Sequence, residues 1–281
     1  MDVGALWDEL ETSLVPLLTR FRGRLTELEV SSKPDRTLLS EADIAVQEHI
    51  VGLIRAADPT ASIVAEEQDL RSGLSDSDTT SDDHVWIIDP IDGTAEFVVP
   101  GRVEFCSVVC LLEKGRPSAA LVVAPEIGRD GTAVSVRMVD GEQPIVNGRR
   151  AWPPTGSAAV SVTRSGGQPR PWDQRLSAAG YALKIHTTSQ TLDMVRTCVD
   201  LSAVTDPPLP SFALFHRQSQ KVWDGAAGMC LAMASGLRVC DRGGIDRHIV
   251  DLDLTVPEPT FSSTVVGRPE LVARFLEWSA S

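Results

Sequence analysis

Apolar residues recur at helical spacing at the start of the chain. Leu6, Leu10, Leu14, Leu17, Leu18 and Phe21 predict an amphipathic helix over residues 4–22. An extended piece around Leu25–Val30 and a polar loop, SSKPDRT, precede a second helix from about Asp43, with Ile44, Val46, Ile50, Val51 and Ile54 on its apolar side. SIVAEE (residues 62–67) reads as a short buried strand that ends in two carboxylates, and the Ser/Asp-rich residues 68–84 as a surface loop. VWIIDPIDGTAEF is an apolar strand closing on a polar turn, and SVVCLLEKGRPSAALVVAP is two strands around a turn at Lys114–Gly115.

The second half alternates in the same way. A strand is expected near Ala158–Thr163, helical patterning around residues 190–203, a Pro-rich break, a strand at Phe212–Phe215 and a helix of small residues from Asp224 to Ser235. Alternating strands and helices with no internal repeat predict a layered α/β or α+β fold. Gly and Pro accumulate over residues 128–157, which places a boundary between an N-terminal unit, 1–145, and a C-terminal unit, 146–281.

Charge then narrows the chemistry. Twenty-six Lys and Arg against 39 Asp and Glu leave a formal −13 over 281 residues, a field that repels nucleic-acid phosphates. It would also repel small phosphorylated molecules unless bound cations reversed the sign locally. No stretch approaches the ~20 apolar residues of a membrane span, and the acidic N-terminal residues lack a signal-peptide pattern. The five cysteines show no CxxC spacing and read as buried, reduced thiols of a cytoplasmic protein. None of the five histidines stands in an HExxH or triad-like setting, and the Walker and GxGxxG patterns are missing.

Some of the acids look placed. In WIIDPIDGT (residues 86–94), a strand apolar on both faces ends in Asp89 and Asp92, three residues apart. Pro90 stiffens the turn, Gly93 permits close backbone approach, and Thr94 stands where a helix can begin and offer N–H groups to an oxyanion. Two carboxylates on a rigid turn suit Mg²⁺, which takes oxygen ligands and keeps exchangeable waters. Taken singly, Asp43 and Asp224 read as helix N-caps, and Glu66-Glu67 as a strand end meeting solvent.

Together, DPIDGT, the upstream Glu66-Glu67 and the downstream WDGAAG (residues 223–228) resemble the inositol monophosphatase superfamily of Mg²⁺-dependent, lithium-sensitive phosphatases. The resemblance implies a layered α-β-α-β-α sandwich, the sugar phosphatase fold, often assembled as a homodimer. It implies two or three Mg²⁺ ions held by Glu66, Asp89, the Ile91 carbonyl, Asp92 and Asp224. Asp43 and Thr94 would orient the attacking water, Glu67 would be a nearby acid and Lys33 an auxiliary positive group, while the N–H groups of Gly93 and Thr94 would cradle phosphate. The implied activity is hydrolysis of a small phosphomonoester by metal-activated water.

Substrate is read from the departures. Glu96-Phe97 and Glu104-Phe105, with the SQKVWD stretch, resemble the 3′(2′),5′-bisphosphate nucleotidases, which hydrolyse 3′-phosphoadenosine 5′-phosphate. Seven residues before Asp224, where inositol phosphatases carry a carboxylate, stands Arg217, a group suited to a second phosphate. Arg217, Lys221 and Ser165 are the candidate substrate contacts. The alternatives are an inositol 1-phosphate or pathway-dedicated sugar or nucleoside phosphate phosphatase, and a catalytically inactive regulatory relative that retains the metal site.

Overall fold

A computed structural model describes residues 1–24, 30–32, 38–67, 81–164, 168–247 and 249–280. Two helices open the chain, α1 (Val3–Gly23) and α2 (Glu41–Ala57), with the short antiparallel pair β1 (Val30–Ser32) and β2 (Leu38–Ser40) between them. Asp2 caps α1 by accepting from the Ala5 amide at 3.0 Å. The seven strands of the first sheet then run consecutively. They are β3 (Ala61–Ala65), β4 (Ser81–Asp92), β5 (Cys106–Glu113), β6 (Arg116–Ala124), β7 (Val134–Val139), β8 (Ile145–Val146) and β9 (Arg149–Arg150), and their spatial order is their chain order. Only β3 and β4 pair in parallel; the rest are antiparallel. A four-residue helix, α3 (Thr94–Phe97), sits between β4 and β5. The β5–β6 hairpin turns on Lys114 and Gly115, both at positive φ (51° and 75°), the geometry that two-residue hairpins favour.

The second sheet has five strands in the order β11-β10-β12-β14-β13. These are β10 (Ala159–Ser161), β11 (Ala182–Lys184), β12 (Leu214–Lys221), β13 (Arg238–Cys240) and β14 (Thr260–Gly267). Four helices accompany it: α4 (Pro171–Ala178), α5 (Gln190–Cys198), α6 (Val222–Ala234) and α7 (Pro269–Ala280). The first sheet ends at Arg150 and the second begins at Ala159.

Why these elements stack is visible in the alternation along β5. Val109 and Leu111 face the core that holds α1 and α2, whereas Val108, Cys110 and Leu112 face the core that holds α5 and α6. A sheet covered on both sides must be apolar at every position, which explains the unbroken runs in β4 to β6. The second sheet divides likewise. Phe215 and Val266 face α5 and α6, while Leu214 and Val265 face α4 and α7. The layers are therefore α1/α2, seven strands, α5/α6, five strands, α4/α7, an α-β-α-β-α sandwich.

Several expected boundaries move. Ile44 is exposed, and the buried face of α2 is Ala42, Asp43, Val46, Gln47, Ile50 and Ile54, so polar groups share the inward stripe. The loop expected to reach residue 84 gives way to β4 at Ser81. The strand expected at Phe212–Phe215 instead runs to Lys221, because HRQSQK is polar in sequence yet pairs with β14 through most of its length. Helix α5 stops at Cys198, since Val199 adopts an extended conformation; Val199 and Leu201 still enter the core and so prolong the apolar pattern past the helix. Residues 25–29 and 68–80 lie outside the described residues.

All five cysteines are buried and unpaired, and no helix among the described residues is long and apolar enough to cross a membrane. His216 is buried between Trp172 and Phe275, with Nδ1 hydrogen bonding the Thr264 carbonyl at 3.1 Å. Burial pulls its pKa down from 6.5 to about 4. Below pH 6.5 the unfolded chain takes a proton at this imidazole that the folded chain refuses, so stability falls from there down to about pH 4. Urea denaturation should show His216 removing about 2 kcal/mol between pH 7 and 5. His216→Phe should lose that part of the slope; an unchanged slope would refute the assignment.

Candidate active site

Strand β3 ends opposite Ile88, with Glu66 and Glu67 directly after it, while β4 runs on and carries Asp89 and Asp92 in its last four residues. The Glu66 amide donates to the Ile88 carbonyl at 3.2 Å, continuing the parallel pairing by one residue. Gln47, on the inward face of α2, grips the next residue at both ends: its Nε2 donates to the Glu67 carbonyl (2.7 Å) and its Oε1 accepts from the Glu67 amide (3.0 Å). Both acids are thereby anchored through their backbone.

On β4 the pairing with β5 slips. Asp89 opposes Val108 and Asp92 opposes Cys106, three steps on one strand against two on the other. The extra residue falls at Pro90–Ile91, where proline offers no N–H to the ladder. At this interruption the Ser107 hydroxyl gives the Pro90 carbonyl a donor at 2.6 Å. Gly93 then turns the chain at φ +92°, and a Cβ there would lie 2.9 Å from the Glu104 carbonyl oxygen. Thr94 opens α3 and donates from Oγ1 to the Ile91 carbonyl at 3.0 Å. Arg22, from the end of α1, secures the far side of this turn by donating to the carbonyls of Glu96, Phe97, Val99 and Arg102.

The remaining carboxylates arrive from helices. Asp43 and Asp224 are not N-caps: α2 begins at Glu41 and α6 at Val222, so each is the third residue of its helix. Asp89, Asp92 and Asp224 each bring a carboxylate oxygen within 4.8 Å of the other two. Glu66 and Asp43 stand outside that trio but near enough to act on it. Burial, then Glu66, Asp92, Asp224 and Asp43, hold the Asp89 carboxyl well above the usual carboxylate range. Burial, with Asp92 and Glu66, does the same to Asp224. Both Asp89 oxygens are buried without a hydrogen-bond partner.

Asp92 is treated differently. The first turn of α5 meets it with the Ser189 hydroxyl and the Thr191 amide on Oδ2 (2.7 and 2.6 Å) and the Gln190 amide on Oδ1 (3.3 Å). These donors oppose the upward push of burial on its pKa. Gln190 also donates from Nε2 to Asp224 Oδ2 at 2.6 Å. Orphaned oxygens beside a trio of carboxylates form a donor set that fits hard divalent cations, which take oxygen ligands.

The other expected residues fall as follows. Glu67 is buried beside Gln47. Arg217 is half-buried; one guanidinium nitrogen donates to Thr187 Oγ1 at 3.0 Å, Nε has no partner, and Asp224 and Asp92 act on its charge. Lys221 stands at the N-cap position of α6 without a side-chain capping bond and pairs with Glu258. Lys33 and Ser165 lie outside the described residues. The two Glu-Phe pairs are engaged internally: Glu96 bonds Arg102 at 2.9 Å, Glu104 bonds Lys184 at 2.7 Å, and Phe97 packs edge-on against Phe105.

Gln47, Ser189, Gln190 and Thr191 went unremarked as site residues in the sequence. A Ser just before an apolar helical run was the available signal, and Ser189 does cap α5 by accepting from the Leu192 amide at 3.0 Å. Behind that cap, Lys184, Glu104, Asp193 and Arg196 form a charge-balanced cluster, with Lys184 2.7 Å from both acids.

The chain belongs to the inositol monophosphatase family, whose model matches residues 13–269. It is 33% identical over 158 residues to a histidinol-phosphatase of Mycobacterium tuberculosis, across 55% of this chain and 58% of that one. It is 27% identical over 226 residues to the 3′(2′),5′-bisphosphate nucleotidase CysQ of Salmonella typhimurium, across 77% of this chain and 81% of the relative. Its fold matches an IMPase from Thermotoga maritima with a TM-score of 0.76 at 21% identity, over 100% of this chain and 97% of the other. The chain spans little more than half the length of the histidinol-phosphatase.

Two outcomes follow from the geometry. Since the Asp89 pKa is raised on folding, ionising it opposes folding, and metal-free protein loses stability as pH climbs from the usual carboxylate range through the raised value. Asp89→Asn should therefore melt higher than wild type at pH 7 without metal, and lose the rise in Tm that divalent cations give wild type. A lower metal-free Tm would contradict it. Gly93→Ala should cost about 2 kcal/mol in urea denaturation, through positive φ and the clash with Glu104; wild-type stability would show that the turn tolerates a Cβ.

Proposed function

We propose that the chain is a Mg²⁺-dependent phosphomonoesterase acting on a small phosphorylated metabolite, with 3′-phosphoadenosine 5′-phosphate or a related 3′-phosphorylated nucleotide as its leading substrate. The observation that carries the activity is Asp89, buried and unpartnered at both oxygens among other acids. So costly an arrangement is retained where a cation completes it.

Glu66, Asp89, Asp92, Asp224 and the Ile91 carbonyl would hold the ions, two or three in number. Divalent cations at such a site lower the pKa of water and neutralise phosphoryl oxygens. The protein's own groups then do the rest. Asp92, already accepting three hydrogen bonds, keeps its orientation as ligands exchange. The Asp43 carboxylate and Thr94 Oγ1 would accept hydrogen bonds from the attacking water and align it, and the bond from Thr94 to the Ile91 carbonyl fixes that hydroxyl against the turn. The amides of Gly93 and Thr94 would receive the phosphate, with Glu67 as a nearby acid and Lys33 as an auxiliary cation. Lithium inhibition and a cytoplasmic homodimer belong to the same proposal.

Arg217 supports the bisphosphate. Its orphaned Nε–H beside the acidic cluster is a ready donor for a second phosphate, with Lys221 and Ser165 as further contacts. A second reading, histidinol phosphate, is favoured by the stretch 33% identical to the mycobacterial enzyme. Charge separates the two, because a guanidinium attracts a second phosphate and repels the ammonium of histidinol.

A substrate panel at fixed Mg²⁺ tests this. It contains 3′-phosphoadenosine 5′-phosphate, histidinol phosphate, inositol 1-phosphate, fructose 1,6-bisphosphate and nucleoside monophosphates. The bisphosphate nucleotide should lead in kcat/KM, Asp89→Asn should abolish turnover with the fold intact, and Arg217→Ala should lower kcat/KM for the bisphosphate about 10- to 100-fold. A lead by histidinol phosphate or inositol 1-phosphate would overturn the substrate. Cation binding with no turnover of any phosphate would mark an inactive regulatory relative.

A further inference from the structure

We infer that Gln190 is a positioning residue for the cation that Asp92 and Asp224 are proposed to share; the inference rests on reading the acidic cluster as a cation site. Gln190 is the first residue of α5 and touches both acids. Its backbone amide donates to Asp92 Oδ1 at 3.3 Å, and its side-chain Nε2 donates to Asp224 Oδ2 at 2.6 Å. It is a neutral donor to the Asp224 carboxylate. Asp92 and Glu66 repel that carboxylate while Arg217 attracts it, so the direction its oxygens face depends on a tether. The amide supplies the tether.

The chemistry of the tether matters. A carboxylate has about four lone-pair sites, and Gln190 takes one, leaving the others to an ion. A lysine or arginine in its place would neutralise Asp224 and compete with the cation. A carboxamide orients the ligand and leaves its charge intact, the way hydrogen-bonded outer groups tune metal ligands. The Gln190 Oε1 is buried with no partner, so the amide is held for what Nε2 does.

The surroundings make the residue testable. Ser189 and the Thr191 amide still hold Asp92 when the Gln190 side chain is removed, and Thr191 Oγ1 still donates to the Asp224 backbone carbonyl at 3.0 Å. The α5–α6 contact therefore survives a substitution at 190.

Metal-stripped full chain should be titrated with Mn²⁺ by calorimetry, comparing wild type with Gln190→Leu and Gln190→Ala, alongside metal-free melting. The expected result is about a tenfold or greater loss of Mn²⁺ affinity in one class of site, with the other class and the metal-free Tm unchanged. Equal affinity in wild type and variants overturns the inference, as does tighter binding in the variants, which would make the amide a competitor. A loss in both classes with a lowered Tm also overturns it, since that is a general structural role. If wild type itself binds no Mn²⁺, the cation reading of the cluster fails and takes this inference with it.

Discussion

The repulsion among carboxylates at the end of β4 is the constraint on which the rest of the structure depends. Asp89 is buried with neither oxygen bonded, and four other acids raise its pKa further. Left to itself such a group relaxes toward water or takes up a proton. It cannot relax toward water here, because the strand that carries it is packed on both faces and pinned at its bulge by Ser107, and a raised pKa is the response left to it. The double-sided core fills space and also prevents the escape of a charged group. Stability is given up at the cluster and recovered in the layers around it, the usual relation between a strained site and its scaffold.

Each acid is held by a different element, and the Arg217 guanidinium adds an opposing charge that acts on Asp224. Asp92 receives the first turn of α5, whose amides carry the positive end of the helix dipole. Asp224 receives a neutral carboxamide. Glu67 is held by its backbone through Gln47. Other basic residues of this region are kept back. Lys184 and Arg196 are spent on Glu104 and Asp193, Arg22 on Glu126 and on carbonyls in and just after α3, and Lys221 on Glu258. A protein with a formal −13 thus keeps an acidic pocket in which, among the described residues, Arg217 offsets only part of the charge on Asp224. A site built to attract an external cation requires that restraint.

Much of this was legible in the chain and some was not, for physical reasons. The both-faces-apolar run Val85–Ile88 and the close pair Asp89 and Asp92 announce a buried strand with a functional end, because few structural needs put two acids there. Local signals also gave α1, the hairpin at Lys114–Gly115 and the small-residue helix α6. The slip at Pro90–Ile91 was not legible, since it is a relation between two strands, and the proline alone suggested only a stiff turn. The polar second part of β12, His216–Lys221, was hidden because those residues form sheet only against β14. The donors to Asp92 and Asp224 come from a helix 97 to 99 residues away from Asp92 in the chain, where no local pattern ties Ser189 or Gln190 to the acids they meet.

The same helix shows why a fold can persist while sequences drift. The chain superposes on a relative with which it shares 21% of its residues. What α5 must supply to Asp92 comes mainly from backbone amides and one hydroxyl, and a backbone amide survives almost any substitution. Side chains at positions 187, 188 and 190 are freer to vary, and here they are Thr187 on Arg217, Thr188 on Glu104 and Gln190 on Asp224. One short turn therefore carries two layers of information. Its backbone supports the carboxylates, and its side chains reach Arg217 and Asp224, the groups proposed to meet the substrate and the second ion. Change in those side chains can alter selectivity and ion affinity together while the bonds that define the turn remain.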